Sequence, residues 1–205
     1  MPGYSIYEYI LVLHPHEELW NKINKVKDEF AEKYKTDVIR WGKPYITLVN
    51  FLQHEMMQAR IEKKKKTIAM GFPPIKIELK DYGSFPSHTI YINITSKLPV
   101  QSLVKQIRKE TQRLMKLNDD NKPHLTIARK LQPWQYEQGW LEFSHRQFTG
   151  RFIASDMLLL RRPLDDKKYE IIQRFEFENM PVHTKQGELF SPLSPKGGNS
   201  MQDEK

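Results

Sequence analysis

The chain contains no cysteine among its 205 residues. Disulfide bonds and thiolate metal sites are therefore excluded, and a cytoplasmic location is expected. No stretch approaches the roughly 20 consecutive apolar residues that a membrane-spanning helix needs, so no membrane association is expected. Residues 1–13 include an apolar run but no basic leader and no small-residue cleavage site. We expect this segment to be a first strand and not a signal peptide.

The common sequence motifs of nucleotide and metal sites are also missing. No segment has the spacing of a phosphate-binding loop, a dinucleotide fingerprint or a zinc site, so we expect neither a metal nor a cofactor. The length suffices for one domain with a full core, and we expect a monomer with this domain over residues 1–184. From Lys185 onward glycine, serine, proline and charged residues dominate, which predicts a disordered tail over residues 185–205.

Basic residues outnumber acidic ones, giving a formal net charge of +8. This excess favours anionic partners, nucleic acid among them. Part of it lies in four consecutive lysines, Lys63–Lys66. Consecutive residues of a helix point all round its axis, so the four lysines do not form one stripe. We interpret the run as a solvated helix end.

Alternating apolar and polar residues, with many β-branched and aromatic side chains, predict the strands. They cover residues 4–13, 44–51, 75–79, 89–94, 123–128, 148–160 and 169–177, with residues 82–86 as a loop. Apolar spacings of three and four predict helices over 19–34 and 100–114, with further helical segments over 54–66 and 133–143. Short turns imply antiparallel pairing. We expect an α+β fold of two duplicated lobes, whose antiparallel sheets face a central groove with helices packed outside.

One short phrase occurs twice in the chain. Residues 43–48 read K-P-Y-I-T-L, and residues 122–127 read K-P-H-L-T-I. Each phrase has a proline that starts a strand, then a ring-bearing polar residue, an aliphatic residue and a threonine. Residues i and i+2 of a strand share a face, so the ring and the hydroxyl of each copy point the same way. Two such strands indicate a duplicated fold with both copies facing one cleft.

These two motifs, roughly 80 residues apart, resemble those of the two-histidine (2H) phosphoesterase superfamily. The flanking sequence is most similar to the bacterial 2′-5′ RNA ligase-like group, with further similarity at residues 83–86 and 158–162. The resemblance covers about residues 4–178. It implies a bilobal α+β fold with the motifs facing each other across a groove. It also implies metal-independent hydrolysis of 2′,3′-cyclic phosphates or 2′-5′ phosphodiesters, or the joining of RNA ends.

The resemblance implies a role for each motif residue. His124 is expected to be a general acid/base, and Thr47 and Thr126 are expected to bind the phosphate oxygens. Tyr45 stands where the first histidine of the family belongs. Imidazole, with an ordinary pKa near 6.5, takes or gives a proton at neutral pH, whereas a phenol with a pKa near 10 only donates one. We therefore expect His124 to act as the base and Tyr45 as a weak acid, with catalysis weakened.

Further side chains are candidates for substrate binding. Lys43, Lys122 and Arg129 neighbour the motifs, and their charges suit a polyanion. Tyr82 and Phe85 lie on the predicted glycine-containing loop and are candidates for stacking on a base. Packing of Phe85 in the core is an equally good interpretation.

Three functions fit the sequence. The first is an enzyme, a cyclic phosphodiesterase that acts on RNA ends or small cyclic nucleotides, with RNA end ligation as a related reaction. The second is a non-catalytic module that binds RNA or nucleotide phosphates with Thr47 and Thr126. The third is a degenerate scaffold with a protein partner. The first two predict RNA ends or small nucleotide phosphates as partners.

Overall fold

The computed structural model describes residues 5–36, 43–111 and 123–180, and every structural statement refers to these ranges. Lys122 and the predicted tail lie outside them. None of the helices in these ranges is long and apolar enough to cross a membrane.

The described chain contains eight strands and four α-helices. The strands are β1 (Ile6–Leu13), β2 (Ile46–His54), β3 (Ile75–Phe85), β4 (Thr89–Ile94), β5 (Leu125–Arg129), β6 (Thr149–Ala154), β7 (Asp156–Pro163) and β8 (Glu170–Glu176). The helices are α1 (Glu17–Tyr34), α2 (Gln58–Met70), α3 (Lys97–Thr111) and α4 (Pro133–Phe143), and a short 3-10 helix, Glu55–Met57, precedes α2.

All eight strands form one antiparallel sheet in the order β6-β3-β4-β5-β2-β1-β7-β8. The sheet has two halves of four strands, and the pair Ile46 and Leu125 joins β2 of one half to β5 of the other. Each half contains a strand, a helix and an adjacent antiparallel strand, namely β1-α1-β2 and β4-α3-β5. This arrangement confirms the predicted duplicated α+β fold and places the two motif strands side by side at its centre.

The helices cover one face of the sheet and form the main core with it. Alternate residues of β1, Tyr9, Leu11 and Leu13, are fully buried in this core together with Ile23 and Phe30 of α1. Such alternation follows from the two-residue period of a strand. The helix α1 packs against β5, β6 and α4, whereas α3 packs against β2 and α2. Each of these two helices therefore covers strands of the opposite half and holds the halves together.

The predicted long strand over residues 148–160 is wrong. The strand is interrupted at Ser155, so that β6 pairs with β3 at one edge of the sheet and β7 pairs with β1 in the other half. The carbonyl of Ser155 accepts a hydrogen bond from the backbone N–H of Phe177 at 2.8 Å. No glycine or proline marks this crossover, because a bend at a strand end does not require either residue.

The predicted loop over residues 82–86 is also mostly strand. The strand β3 continues through it to Phe85 and pairs with β4, with a β-bulge between Leu79 and Tyr82. Asp81, inside the bulge, has a positive φ of 54°. A bulge inserts an extra residue without ending the strand, which explains why the alternation was interrupted in the sequence.

The interpretation of the four lysines as a solvated helix end is wrong. The helix α2 continues to Met70, so Lys63–Lys66 lie within it. Lys65 is 0% exposed, and its Nζ atom has no hydrogen-bond partner among the described residues. Burial lowers the pKa of Lys65 to about 7, because the charged form loses its hydration.

Replacing Lys65 with methionine should stabilise the protein most at or below pH 7, by about 5 kcal/mol. The ordinary pKa of lysine is 10.5 and that of folded Lys65 is about 7, so between these values the unfolded chain binds a proton that the folded chain lacks. The stability of the native protein therefore rises across this window, and the advantage of Lys65→Met shrinks. Urea unfolding at pH 6.5 and pH 10 measures both effects.

The exposed neighbour Lys66 provides the control for this experiment. Lys66→Met should change the free energy of unfolding little at either pH, because its ammonium group is solvated. A gain from Lys65→Met that is the same at both pH values would show that the buried amine is not the source of the penalty.

Candidate functional site

The pair formed by Ile46 and Leu125 determines which way the motif side chains point. Both residues are fully buried against the helices. Their neighbours along each strand therefore turn to the opposite face of the sheet. Thr47 and Thr126 are half-buried there, and neither hydroxyl makes a hydrogen bond to the rest of the described chain. Two unused hydroxyls consequently lie on adjacent strands.

Tyr45 immediately precedes β2 and lies on this opposite face, within reach of the first turn of α1. Its ring packs against a small apolar cluster of Val12, Leu158 and Leu160 and meets the Trp20 ring edge-on, with ring centroids 5.5 Å apart. Burial raises the pKa of Tyr45, because the phenolate would lose hydration. The hydroxyl makes no hydrogen bond to any described residue. Tyr45 is therefore a protonated donor at neutral pH.

His124 immediately precedes β5 and lies among aromatic rings. Its ring centroid is 5.0 Å from that of Phe85 and 5.0 Å from that of Tyr91. The rings of Phe85 and Tyr91 are themselves 4.7 Å apart. Tyr91 of β4 is the cross-strand partner of Thr126, which places the aromatic group beside the second motif. The imidazole thus packs against two aromatic rings.

A cavity of about 310 Å³ lies next to His124. Its volume is at the lower end of the range for small-molecule sites. The cavity is enclosed by β3, β4, the start of β5 and the first turns of α3. Its lining residues are Phe85, Tyr91, Asn93, Ile94, Lys97, Val100, Gln101, Pro123 and His124.

The structure brings some predicted site residues together and separates others. His124 and Phe85 line the cavity, whereas Tyr45, Thr47 and Thr126 do not. The ring of Tyr45 packs against aliphatic side chains and Trp20, whereas the ring of His124 packs against those of Phe85 and Tyr91. The candidate site therefore consists of a cavity beside one motif and a half-buried phenol beside the other.

The remaining predicted residues have varied positions. Lys43 is exposed just before β2. Arg129 is exposed at the end of β5. Burial of Lys27 on α1, and to a lesser extent the positive charge of Arg129, lowers the pKa of Lys27 to about 8. Stacking of Tyr82 on a base is excluded, because Tyr82 is only 8% exposed and its ring meets those of Phe143 and Phe148 in the core.

Four polar residues of the cavity were not predicted from the sequence, namely Tyr91, Asn93, Lys97 and Gln101. Tyr91 and Asn93 occupy the polar positions of an alternating strand whose apolar residues face the core. This strand was predicted, and pairing it with the second motif strand would have revealed both residues. Across the described chain, no cluster of three or more histidine, aspartate or glutamate side chains forms a metal site.

Solved structures with a similar fold include TT0787 of Thermus thermophilus, at 17% sequence identity and a TM-score of 0.62. This match covers 83% of the present chain and 98% of that one. Another is E. coli LigT complexed with NADP+, at 13% identity and a TM-score of 0.61. This match covers 85% of the present chain and 99% of the LigT chain. LigT complexed with 3′-AMP matches at 14% identity and a TM-score of 0.59, with coverage of 84% and 99%. At these identities the similarity shows the fold.

The sequence itself identifies the family. The sequence model of the 2′-5′ RNA ligase superfamily matches residues 15–166, which include both motifs. The chain therefore belongs to this superfamily of 2H phosphoesterases. A comparison with curated protein sequences gives no match.

Gly83 does not line the cavity, but a methyl group there should displace two side chains that do. A Cβ atom there would lie 2.7 Å from Asn93 Oδ1 and 2.7 Å from the Tyr91 ring. Gly83→Ala should therefore displace both cavity side chains, cost about 1 kcal/mol of stability, and shift the ring-proton NMR signals of His124, which lie in the ring-current field of Tyr91.

Gly150→Ala is the matched control, because its Cβ atom would meet Leu19 at 2.8 Å, on the edge strand β6, which contributes no residue to the cavity. It should leave the His124 signals in place. Equal shifts in both variants would mean that the space beside Gly83 does not position the aromatic rings of the cavity.

Proposed function

We propose that this protein is a metal-independent phosphodiesterase that hydrolyses 2′,3′-cyclic phosphate or 2′-5′ phosphodiester bonds at RNA ends or in small nucleotides. The single observation that carries the proposal is the position of His124, which lines a cavity of about 310 Å³ from the start of the second motif strand. The relatives support it, since LigT structures with 3′-AMP, NADP+, ATP and phosphate have been solved on the same fold.

In the proposed reaction, His124 takes a proton from water, and the oxygen of this water attacks phosphorus. The bond from phosphorus to the ribose oxygen breaks in line with the attack. The Tyr45 hydroxyl gives its proton to the departing oxygen, so the product is a phosphomonoester and a free hydroxyl. Solvent then carries the proton from the imidazolium of His124 back to the phenolate. One water is consumed, and the protein returns to its starting state.

The threonines suit the remaining task, which is to hold the phosphate. The hydroxyls of Thr47 and Thr126 have no partner among the described residues and lie on the same face of adjacent strands. A hydroxyl donates to a non-bridging oxygen, and donors fixed in advance stabilise the charge that develops in the transition state. Hydroxyls on two paired strands are fixed by the backbone of the sheet.

The cavity supplies the groups that a nucleoside needs. Phe85 and Tyr91 offer aromatic faces for a base, and stacking on such faces is worth roughly 1–3 kcal/mol per base. The Asn93 amide both donates and accepts hydrogen bonds. Lys97, exposed at the start of α3, adds a positive charge at the rim.

The second candidate function is a non-catalytic module that binds RNA or nucleotide phosphates. It is favoured by the contacts of Tyr45, whose ring packs against aliphatic side chains and Trp20 rather than against the aromatic rings around His124. A phenol held there binds phosphate without completing a proton transfer. This module would show nucleotide affinity without turnover.

The pH dependence should report the proposed roles. Hydrolysis of a nucleoside 2′,3′-cyclic phosphate should increase as the imidazole of His124 loses its proton and then stay level beyond pH 10. The plateau follows from burial, which raises the pKa of Tyr45 above its ordinary value of 10.0 and keeps the phenol protonated. His124→Asn should lower kcat by roughly 10² to 10⁴-fold. Undiminished hydrolysis by His124→Asn would disprove the assignment of the base.

Two substitutions at Tyr45 should have opposite effects. Tyr45→Phe removes the proton donor and should lower kcat by about 10²-fold or more. Tyr45→His supplies a stronger acid, so kcat near pH 6 should increase, and the alkaline plateau should become a bell because the imidazolium loses its proton as the pH rises.

Tyr7→Phe serves as the control, since it removes a half-buried hydroxyl from β1 of the same sheet. It should leave the pH–rate profile of the native protein unchanged. Identical kcat values for Tyr45→Phe and Tyr7→Phe, together with measurable turnover, would remove Tyr45 from the reaction. Nucleotide binding without any turnover in the native protein would establish the binding module instead.

A further inference from the structure

The two helices α2 and α3 carry most of the excess positive charge of the protein. Apart from the buried Lys65, they contain eight basic residues and two acidic ones, whereas the whole chain has a formal net charge of +8. The exposed positions of α2 include Arg60, Lys63, Lys64 and Lys66. Positive charges close together on one surface repel one another, which destabilises the folded protein, and they attract a polyanion. Such a surface therefore indicates a partner of opposite charge.

On α3 this charge is arranged as a stripe. Lys97, Gln101, Lys105 and Lys109 follow one another at intervals of four residues, and all four are exposed. Residues four apart are neighbours on the surface of a helix. At 1.5 Å per residue the stripe extends over about 18 Å. It contains no apolar side chain.

The stripe begins at the cavity. Lys97 and Gln101 line the cavity together with His124, and Lys105 and Lys109 lie one turn and two turns further along the same helix. The first two polar side chains of the stripe are therefore part of the candidate site itself. A chain whose end occupies the cavity would leave it along α3.

The far end of the stripe reaches α2. Glu110 lies 3.8 Å from the ammonium group of Lys64, so its carboxylate is directed to α2 rather than to the stripe. Lys105 and Lys109 have no carboxylate within 4.0 Å among the described residues. Both ammonium groups are thus available to an external anion, and the basic surface of α2 continues the path.

We propose that this stripe binds the phosphate backbone of a single-stranded RNA whose 3′ end lies in the cavity. The inference rests on the proposed function for the reacting end and adds that the substrate is an oligonucleotide. The chemistry at the cavity requires a ribose 2′ oxygen, which selects RNA. A protein partner is a poorer fit, because protein interfaces need an apolar centre and the stripe has none, whereas phosphates require only charge.

Binding of a fluorescent 12-nucleotide RNA, followed by anisotropy between 50 and 200 mM salt, tests the proposal directly. In Lys105→Gln/Lys109→Gln the Kd should increase about tenfold, and the slope of log K against log salt should fall by about 1.4, since each phosphate contact on a single strand contributes about 0.7. Lys22→Gln/Lys25→Gln removes the same charge from exposed positions of α1 and should change neither quantity appreciably. Equal losses of RNA affinity in the two double variants would show that the stripe is not a specific binding path for RNA.

Two further measurements identify the partner and separate this inference from the proposed function. Poly-glutamate with the same number of charges should compete poorly with the RNA, and competition at equal concentration would overturn the assignment to RNA. The ratio of KM values for a 12-nucleotide RNA ending in a 2′,3′-cyclic phosphate and for the mononucleoside cyclic phosphate should rise about tenfold in Lys105→Gln/Lys109→Gln. If neither compound is hydrolysed, the proposed function fails, while the anisotropy result still decides whether the stripe binds RNA.

Discussion

The pairing of Ile46 with Leu125 joins the two halves of the sheet, and the orientation of the candidate site depends on it. A slip of one residue in this register would turn every motif side chain towards the helices. The complete burial of both residues opposes such a slip, because an exposed isoleucine or leucine would lose roughly 1.5–3 kcal/mol of hydrophobic stabilisation. Burial of the apolar residue within each repeated phrase therefore turns the ring and the hydroxyl on either side of it to the opposite face of the sheet.

The helices reinforce this pairing. The helix of each repeat packs on strands of the other repeat, so separating the halves would expose the core beneath α1 and α3 as well as break the pair. The same crossing gives the cavity its shape. Because α3 begins after β4 and leads back to β5, its first turns lie beside the start of the second motif strand, and Lys97 consequently reaches the rim next to His124. A feature that stabilises the fold thus also builds the site.

Local patterns predicted the features that depend on neighbouring residues. The two-residue alternation identified the motif strands, and the repeated phrase identified which side chains share a face. The features that were not predicted depend on contacts between residues that are distant in sequence. Lys65 is buried because α2 packs against β8 and α3, and nothing in a run of four lysines distinguishes the one that turns inward. The crossover at Ser155 follows from the pairing of β6 and β7 with different halves, which an unbroken apolar run does not reveal.

The first motif has a tyrosine where the second has a histidine, and the tyrosine lies in apolar surroundings. An apolar environment favours the neutral form of any titratable group, so an imidazole in the place of Tyr45 would lose its proton more readily and be mostly unprotonated at neutral pH. A phenol in the same place is neutral and still carries the proton that a departing oxygen needs. Burial against Val12, Leu158 and Leu160 therefore penalises a histidine acid and leaves a tyrosine acid protonated. In the proposed mechanism, Tyr45 therefore remains protonated for the departing oxygen at neutral pH, and His124 of the second motif takes the proton from water.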